Sequence, residues 1–222
     1  MRFLCCHGMG TNTQILKTQL TALRNELGDS HTYDFVEGTI PSSLAPELVG
    51  IFPEEGNYFD YFEHDSVESI NKALDDFGRF LEVEGPYDGV IGFSIGALLA
   101  STFLIREKAR NPTKPLPFKC AIFLCAAAAL DPTALARGEI TLLKPIPTSS
   151  FLLELPTAHI WGRNDTLWAD RSELLSSLCD PQESSIFLHD EGHAIPGPRA
   201  KEALLGSARA IRRTVGKASL VW

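Results

Sequence analysis

YDGVIGFSIGALLASTFLIREK, residues 87–108, changes its hydrophobic pattern at a single point. Up to Phe93 it is a short apolar run that reads as a buried strand, and from Ile95 it continues as an apolar helix. At the junction stands Gly92-Phe93-Ser94-Ile95-Gly96, a Gly-x-Ser-x-Gly placed where a strand turns into a helix. A nucleophile elbow holds its serine in a strained backbone conformation. Side chains two residues to either side would then collide with the neighbouring strand and helix, hence the two glycines. The pentapeptide alone is a weak sign, because glycine and serine are common; the strand before it and the helix after it give it weight. A plain tight turn is the competing reading.

Outward from this junction, strands and helices alternate. Residues 2–6 read as a short buried strand, and Asn12 or Thr13 caps a helix with Leu16, Leu20, Leu23 and Leu27 on one face, ended by Gly28. His31 to Val36 is a second strand. From Ser66 a helix carries Val67, Ile70, Leu74, Phe77 and Leu81. Phe118–Leu124, Thr157–Trp161 and Ser185–His189 read as strands, Leu167–Leu178 as a helix, and the last helix faces inward with Leu204, Ala208, Ile211 and Val215. This alternation predicts an α/β fold, a mostly parallel sheet with helices on both faces, in a single domain spanning residues 1–222. Two segments lack a period. Glu37–His64 holds three prolines with Phe52, Tyr58, Phe59, Tyr61 and Phe62, as a functional loop or lid does, and Ala126–Leu155 is a second variable segment.

Composition narrows the function. The chain has 222 residues, which at roughly 150 per domain is one domain or slightly more. Hydrophobic residues make up 44% and charged residues 22%, an ordinary globular composition. A net charge of -8 argues against a general grip on nucleic acid or an anionic membrane. No apolar run approaches the ~20 residues of a membrane span, and MRFLCCHGMG is too short a stretch for a signal-peptide core. The five cysteines form no CxxC pair, which suits reduced thiols in a cytoplasmic protein. Glu63-His64-Asp65 are adjacent and cannot converge on one metal, and Gly8-Met9-Gly10 lacks the third glycine of a dinucleotide loop. No metal and no cofactor are expected.

A serine hydroxyl is a poor nucleophile until a base takes its proton. His193 in HDEGHAIP follows the last strand on the rim that carries Ser94, and is the expected base. His189, its rival, lies inside the strand, where a structural hydrogen bond suits it better. Asp165 in WGRNDTLW is the expected acid, with a helix N-cap as its competing role and Asp170 and Asp190 as less well placed alternatives. The order Ser94, Asp165, His193 is that of an α/β-hydrolase. Backbone N–H groups of Ile95 and Met9 are expected to form an oxyanion hole, while His7 bonds the loop backbone. Phe52, Tyr58, Phe59 and Phe62 are either a satellite core or the wall of an acyl pocket. The basic run Arg106, Lys108, Arg110, Lys114 and Lys119 either solvates a helix C-terminus or meets an acidic carrier protein.

HGMGTN, GFSIGA, HIWGRND and HDEGHAIP, in this order and spacing, resemble the FSH-type serine hydrolases over nearly the whole chain. The resemblance implies a compact α/β-hydrolase with a Ser-Asp-His triad that cleaves carboxylic esters or thioesters without a cofactor. Many fungal members look like trans-acting thioesterases that release an acyl chain from the carrier domain of a polyketide synthase. The implied substrate is therefore a small-molecule or carrier-bound acyl group. Two positions depart from the family: Ile95 stands where glutamine is usual, and Glu191-Gly192 where Gly-Gly is usual. The donor at 95 is a backbone group and survives the change, whereas any contact of a glutamine side chain is lost. An acyltransferase or cyclase using the same triad, and a non-catalytic binding module on the same scaffold, are the alternatives.

Overall fold

Fully buried apolar runs organise the chain, and in the computed structural model, which describes residues 1–145, 151–166 and 168–220, they become the central strands of a sheet. In chain order the elements are β1 (Arg2–Cys6), α1 (Thr13–Gln19), α2 (Thr21–Leu27), β2 (Thr32–Val36), β3 (Ile40–Ser42), β4 (Tyr58–Asp60), α3 (Val67–Glu84), β5 (Gly89–Phe93), α4 (Ile95–Arg110), β6 (Cys120–Leu124), α5 (Pro132–Ala136), β7 (Thr157–Gly162), α6 (Ala169–Ser177), β8 (Ser184–His189) and α7 (Lys201–Leu220). Six strands pair in the order β2-β1-β5-β6-β7-β8, every pair parallel. Parallel strands need crossovers, and the helices supply them while covering both faces. Phe3 and Cys5 of β1 and Ile122 of β6 pack with Leu16, Leu20, Leu23, Leu204 and Ile211 of α1, α2 and α7. Leu4, Cys6 and Phe123 face the other way, onto Ile70, Leu74, Phe77, Leu99 and Leu175 of α3, α4 and α6. The expected mostly parallel sheet with helices on both faces is therefore present.

The chain leaves β1 toward β2 on one side and later returns to β5 on the other. That reversal leaves a crevice beyond the carboxyl ends of β1 and β5, where open α/β sheets bind ligands. Register aligns Cys6 with Gly92 and Gly92 with Phe123, so the loops after β1, β5 and β6 emerge side by side.

Differences from the sequence reading are local. The helix expected over 13–27 turns at Leu20 into two: Asn12 caps the first, accepting from the Ile15 N–H at 2.8 Å, while the second starts at Leu20 without a side-chain cap, and the Thr18 and Thr21 hydroxyls donate back to the Gln14 and Lys17 carbonyls around the bend. The 37–64 segment is not irregular throughout. It contains the antiparallel pair β3–β4 and a 3-10 turn at Pro46–Leu48. In the second variable segment Ala126–Ala129 are buried and α5 follows; residues 146–150 lie outside the described residues, as does Leu167, and α6 begins at Ala169. All five cysteines are unpaired and buried. Among the described residues no helix is long and apolar enough to cross a membrane.

Candidate active site

Ser94 sits between β5 and α4 with φ 52° and ψ -114°, a backbone conformation that costs a side-chain-bearing residue about 1–3 kcal/mol. Its surroundings enforce it. The Ser94 N–H donates to the Leu124 carbonyl at 3.0 Å, and the Ser94 carbonyl accepts from Ala127 at 3.2 Å. A Cβ at Gly92 would stand 2.5 Å from the Ala97 Cα, and one at Gly96 would collide with the carbonyls of Cys6 and His7. The glycines of the pentapeptide are thus places where helix and strand backbones touch, as the sequence reading requires.

His193 and Asp165 arrive on the turns after β8 and β7. The imidazole Nδ1–H donates to Asp165 Oδ2 at 2.6 Å, and Ser94 Oγ lies 3.0 Å from Nε2, where its hydroxyl donates to the ring. The structure brings together the three residues expected to act as acid, base and nucleophile. Asp165 is not the N-cap of α6, which is Trp168, but its Oδ1 accepts from the Trp168 N–H at 3.0 Å and so ties the start of that helix to the site. Asp170 is exposed on α6, and Asp190 points to solvent and pairs with Arg163 at 2.9 Å. Gly162 joins the two turns, since a Cβ there would collide with the carbonyls of Glu191 and Gly192, and the Arg163 N–H donates to the His189 carbonyl at 2.7 Å. That close approach leaves no pattern in the sequence beyond one glycine in WGRND.

A buried thiol stands close to the Asp165–His193 pair. Cys125 has φ 42° and donates its thiol to the Ala194 carbonyl at 3.5 Å, bracing the histidine loop; burial, helped by Asp165, pushes that thiol up to about 12. Cys125, Asp165 and His193 place ligand-type atoms within 4.8 Å of one another, the one such cluster among the described residues. The 2.6 Å between Asp165 and His193 is shorter than the roughly 3.3 Å that separates two ligands of a tetrahedral zinc, so the pair is built as a hydrogen bond. His189 corrects an expectation. It is buried in β8, but neither ring nitrogen has a hydrogen-bond partner among the described residues, and burial pulls its pKa down to about 4.

The loop after β1 closes the other side. His7 donates from Nδ1 to the Gly8 carbonyl at 2.8 Å and accepts at Nε2 from the Gly38 N–H at 2.9 Å. Burial lowers its pKa, so it is a neutral strut. Gly10 has φ 59°, and a Cβ there would meet the Ser43 carbonyl at 2.5 Å. Ile95 is the first residue of α4, where the backbone N–H has no intrahelical acceptor, and Met9 lines the cleft beside Ser94. The cleft measures about 50 Å³, and the 37–64 segment contributes Ala45, Glu47 and Leu48 to it. Phe52, Tyr58, Phe59 and Phe62 are not among its lining residues. Phe52 and Tyr58 pack with Ile15 and Leu44, Phe62 joins the main core, and Phe59 bridges to Thr11. Ala45, Glu47 and Leu48 were missed because a 3-10 turn over a cleft has no periodic signal.

The basic run stands elsewhere. Arg106 is twelve residues along α4 from Ser94, about 18 Å at 1.5 Å per residue. It is nearly buried against Asp75 at 2.9 Å, Lys119 pairs with Asp88 at 2.9 Å, and Arg110 lies 3.6 Å from Glu107.

Residues 1–203 match the family described as Serine hydrolase (FSH1). The chain is 37% identical over 220 residues to the esterase FPY3 of Fusarium mangiferae, covering 98% of each. It is 34% identical over 201 residues to the hydrolase phiM of a fungal species, covering 88% of this chain and 86% of that one. Among solved structures, a carboxylesterase from Mesorhizobium loti superposes with a TM-score of 0.63 at 18% identity, covering 97% of this chain and 88% of that one. RedJ, a thioesterase from the prodiginine biosynthetic pathway in Streptomyces coelicolor, superposes with a TM-score of 0.56 at 17% identity, covering 95% and 90%. At these identities the likeness is one of fold.

Proposed function

This chain belongs to the serine hydrolase (FSH1) family, and from that premise we propose that Ser94, Asp165 and His193 form its catalytic triad. The observation that carries the reading is the hydrogen-bonded chain from Asp165 through His193 to Ser94, at 2.6 and 3.0 Å. His193 takes the Ser94 proton as Oγ attacks the acyl carbon, and Asp165 holds the ring and stabilises the imidazolium. The oxyanion lies against the Ile95 and Met9 N–H groups, where each donor lowers the barrier by about 3–4 kcal/mol. His193 then protonates the departing alcohol or thiol. A water molecule deprotonated by His193 attacks the acyl-Ser94 ester, and the free acid leaves.

We further infer that the substrate is a polyketide or other acyl chain of fungal secondary metabolism, held as a thioester, with a synthase carrier domain as its deliverer. The fungal hydrolases among the relatives support this. The basic run does not: its first member, Arg106, is about 18 Å along α4 from the nucleophile, so a carrier would meet the rim formed by Met9, Glu47 and Trp168. We place the protein in the cytoplasm, a reading supported by its unpaired, buried cysteines.

Labelling with a fluorophosphonate, followed by mass spectrometry of the modified peptide, tests the triad. Modification at Ser94 that disappears in Ser94→Ala is expected, whereas a folded wild-type protein that takes no label overturns the assignment. Product analysis of an acyl thioester then separates hydrolysis from transfer: a free acid is expected, and an ester or lactone overturns hydrolysis.

A further inference from the structure

A cleft of about 50 Å³ is small for an acyl chain. Pockets that enclose a drug-sized ligand run to roughly 300–1,000 Å³, and at about 10–15 Å³ per water this one takes only a few heavy atoms. Beside it lies a groove of about 690 Å³ between the α1–α2 pair and the segment that follows His193. Ala22, Ile195, Pro198 and Leu204 give that groove apolar walls. Gln19 lines both spaces, and its Oε1 is buried with no hydrogen-bond partner among the described residues. A buried amide oxygen left bare is costly, so the position favours something that donates to it. The one charged lining residue of the groove is Glu26, held by Arg212 at 3.2 Å. None of its lining residues is a cation and Arg212 is already engaged by Glu26, so a phosphate group is not favoured there, whereas an uncharged chain meets apolar walls.

We propose that this groove is the acyl subsite. The chain carried on Ser94 runs past Gln19 into it, and the Gln19 side chain, whose Oε1 is closed to solvent as it stands, turns into the groove to accept a hydrogen bond from a hydroxyl or amide N–H borne by that chain. The proposal rests on the acyl-Ser94 reading and adds to it a direction for the chain and a specificity-determining residue. Its substrate class is medium-length hydroxyacyl or amidoacyl esters and thioesters, in preference to plain short acyl groups.

The experiment compares wild type, Ala22→Trp, Thr18→Trp and Gln19→Leu on p-nitrophenyl acetate, octanoate and the 3-, 5- and 7-hydroxyoctanoates, with fluorophosphonate labelling of each variant as the check on the nucleophile. Thr18 is exposed on α1, so its substitution loads the groove without disturbing the core should Ala22→Trp misfold. Both tryptophans are expected to lower the octanoate-to-acetate ratio of kcat/KM by about tenfold or more. One hydroxyoctanoate is expected to outperform octanoate in wild type by about fivefold, an advantage that Gln19→Leu removes through KM. An unchanged chain-length ratio in a labelled tryptophan variant overturns the subsite while leaving the triad standing. A hydroxyl preference that is missing from wild type, or that survives in Gln19→Leu, overturns the role of Gln19. Absence of Ser94 labelling in wild type overturns the acyl-enzyme reading and the subsite with it.

Discussion

Two regions meet over Ser94 and are held by different means. The elbow and the turns after β7 and β8 are fixed by backbone against backbone: Gly92, Gly96 and Gly162 each occupy a place where a Cβ would strike a neighbouring main chain. The 37–64 segment touches main chain at Gly10 and Thr11, and adds to this a set of side-chain anchors. Tyr61 accepts from the His7 N–H at 2.7 Å and donates to the Val36 carbonyl at 3.1 Å, Asp60 accepts from the Gly10 N–H at 2.9 Å, and Leu44 and Tyr58 bury themselves against Ile15. Main-chain contact leaves no freedom to drift, which suits groups that must keep hydrogen-bond distance. Side-chain anchoring tolerates exchange, which suits the wall that meets the substrate.

Substitutions sharpen the contrast. Ser94→Ala, on the rigid side, is expected to lower kcat by about 10⁴–10⁶-fold with the melting temperature nearly unchanged; ester turnover and thermal unfolding by circular dichroism read the two effects. Asp165→Asn is expected to lower kcat by about 10⁴-fold through the wrong imidazole tautomer, while its Oδ1 still accepts from Trp168. Asp165→Ala removes that acceptor too and is expected to be less stable than Asp165→Asn by about 0.5–2 kcal/mol; equal urea midpoints for the two would remove the second role. Gly162→Ala displaces the His193 loop and is expected to lower kcat about 10²-fold, with KM moving little. Wild-type kinetics in that variant would mean that the main-chain contact is not what positions the base.

On the side-chain-anchored region, Tyr61→Phe leaves the His7 N–H and the Val36 carbonyl without the hydroxyl. It is expected to cost about 1–3 kcal/mol of stability and less activity than any change above; a kcat loss as large as that of Gly162→Ala would abolish the distinction. The last effect shows only on acidification and leaves activity at neutral pH untouched. His189 is buried and its pKa is lowered to about 4, so the unfolded chain, which titrates near 6.5, binds the proton more readily. Stability is therefore full above about pH 6.5 and is lost as pH falls toward 4, at no more than about 1.4 kcal/mol per pH unit from this group. His159, lowered to about 3 by burial, acts in the same direction. His189→Phe should flatten the slope of melting temperature against pH between those limits; an unchanged slope would show that the ring does not drive it.

What was legible in the sequence follows the same division. Backbone contact demands glycine at fixed offsets, and the offset around Ser94 is short enough to read directly. The chain order and the rim positions of Asp165 and His193 follow from strands that all run one way. Gly162 demands the same kind of contact, but its partner is the Glu191–Gly192 turn, and a lone glycine gives no hint of a partner so far along the chain. The aromatic residues of 37–64 stood out by composition, yet composition does not say which way a ring faces. They face inward or along β4, while Ala45 and Leu48, with nothing distinctive about them, face the cleft. The hydrogen bond expected of His189 failed for a related reason: a polar residue at a strand end is easily recognised, but its partner depends on packing across elements.

The five cysteines give the folded molecule an internal clock. Each is at most 1% exposed, and burial pushes the thiols of Cys120, Cys125 and Cys179 up to about 12 and raises those of Cys5 and Cys6 well above the ordinary range, so in the folded protein they are neither reachable nor ionised. A thiolate-directed reagent reacts only with molecules that have opened. Its rate at each cysteine, resolved by mass spectrometry, therefore times the opening of β1, β6, the Cys125 turn and the end of α6 separately, and shows whether the sheet comes apart as one body or from an edge inward.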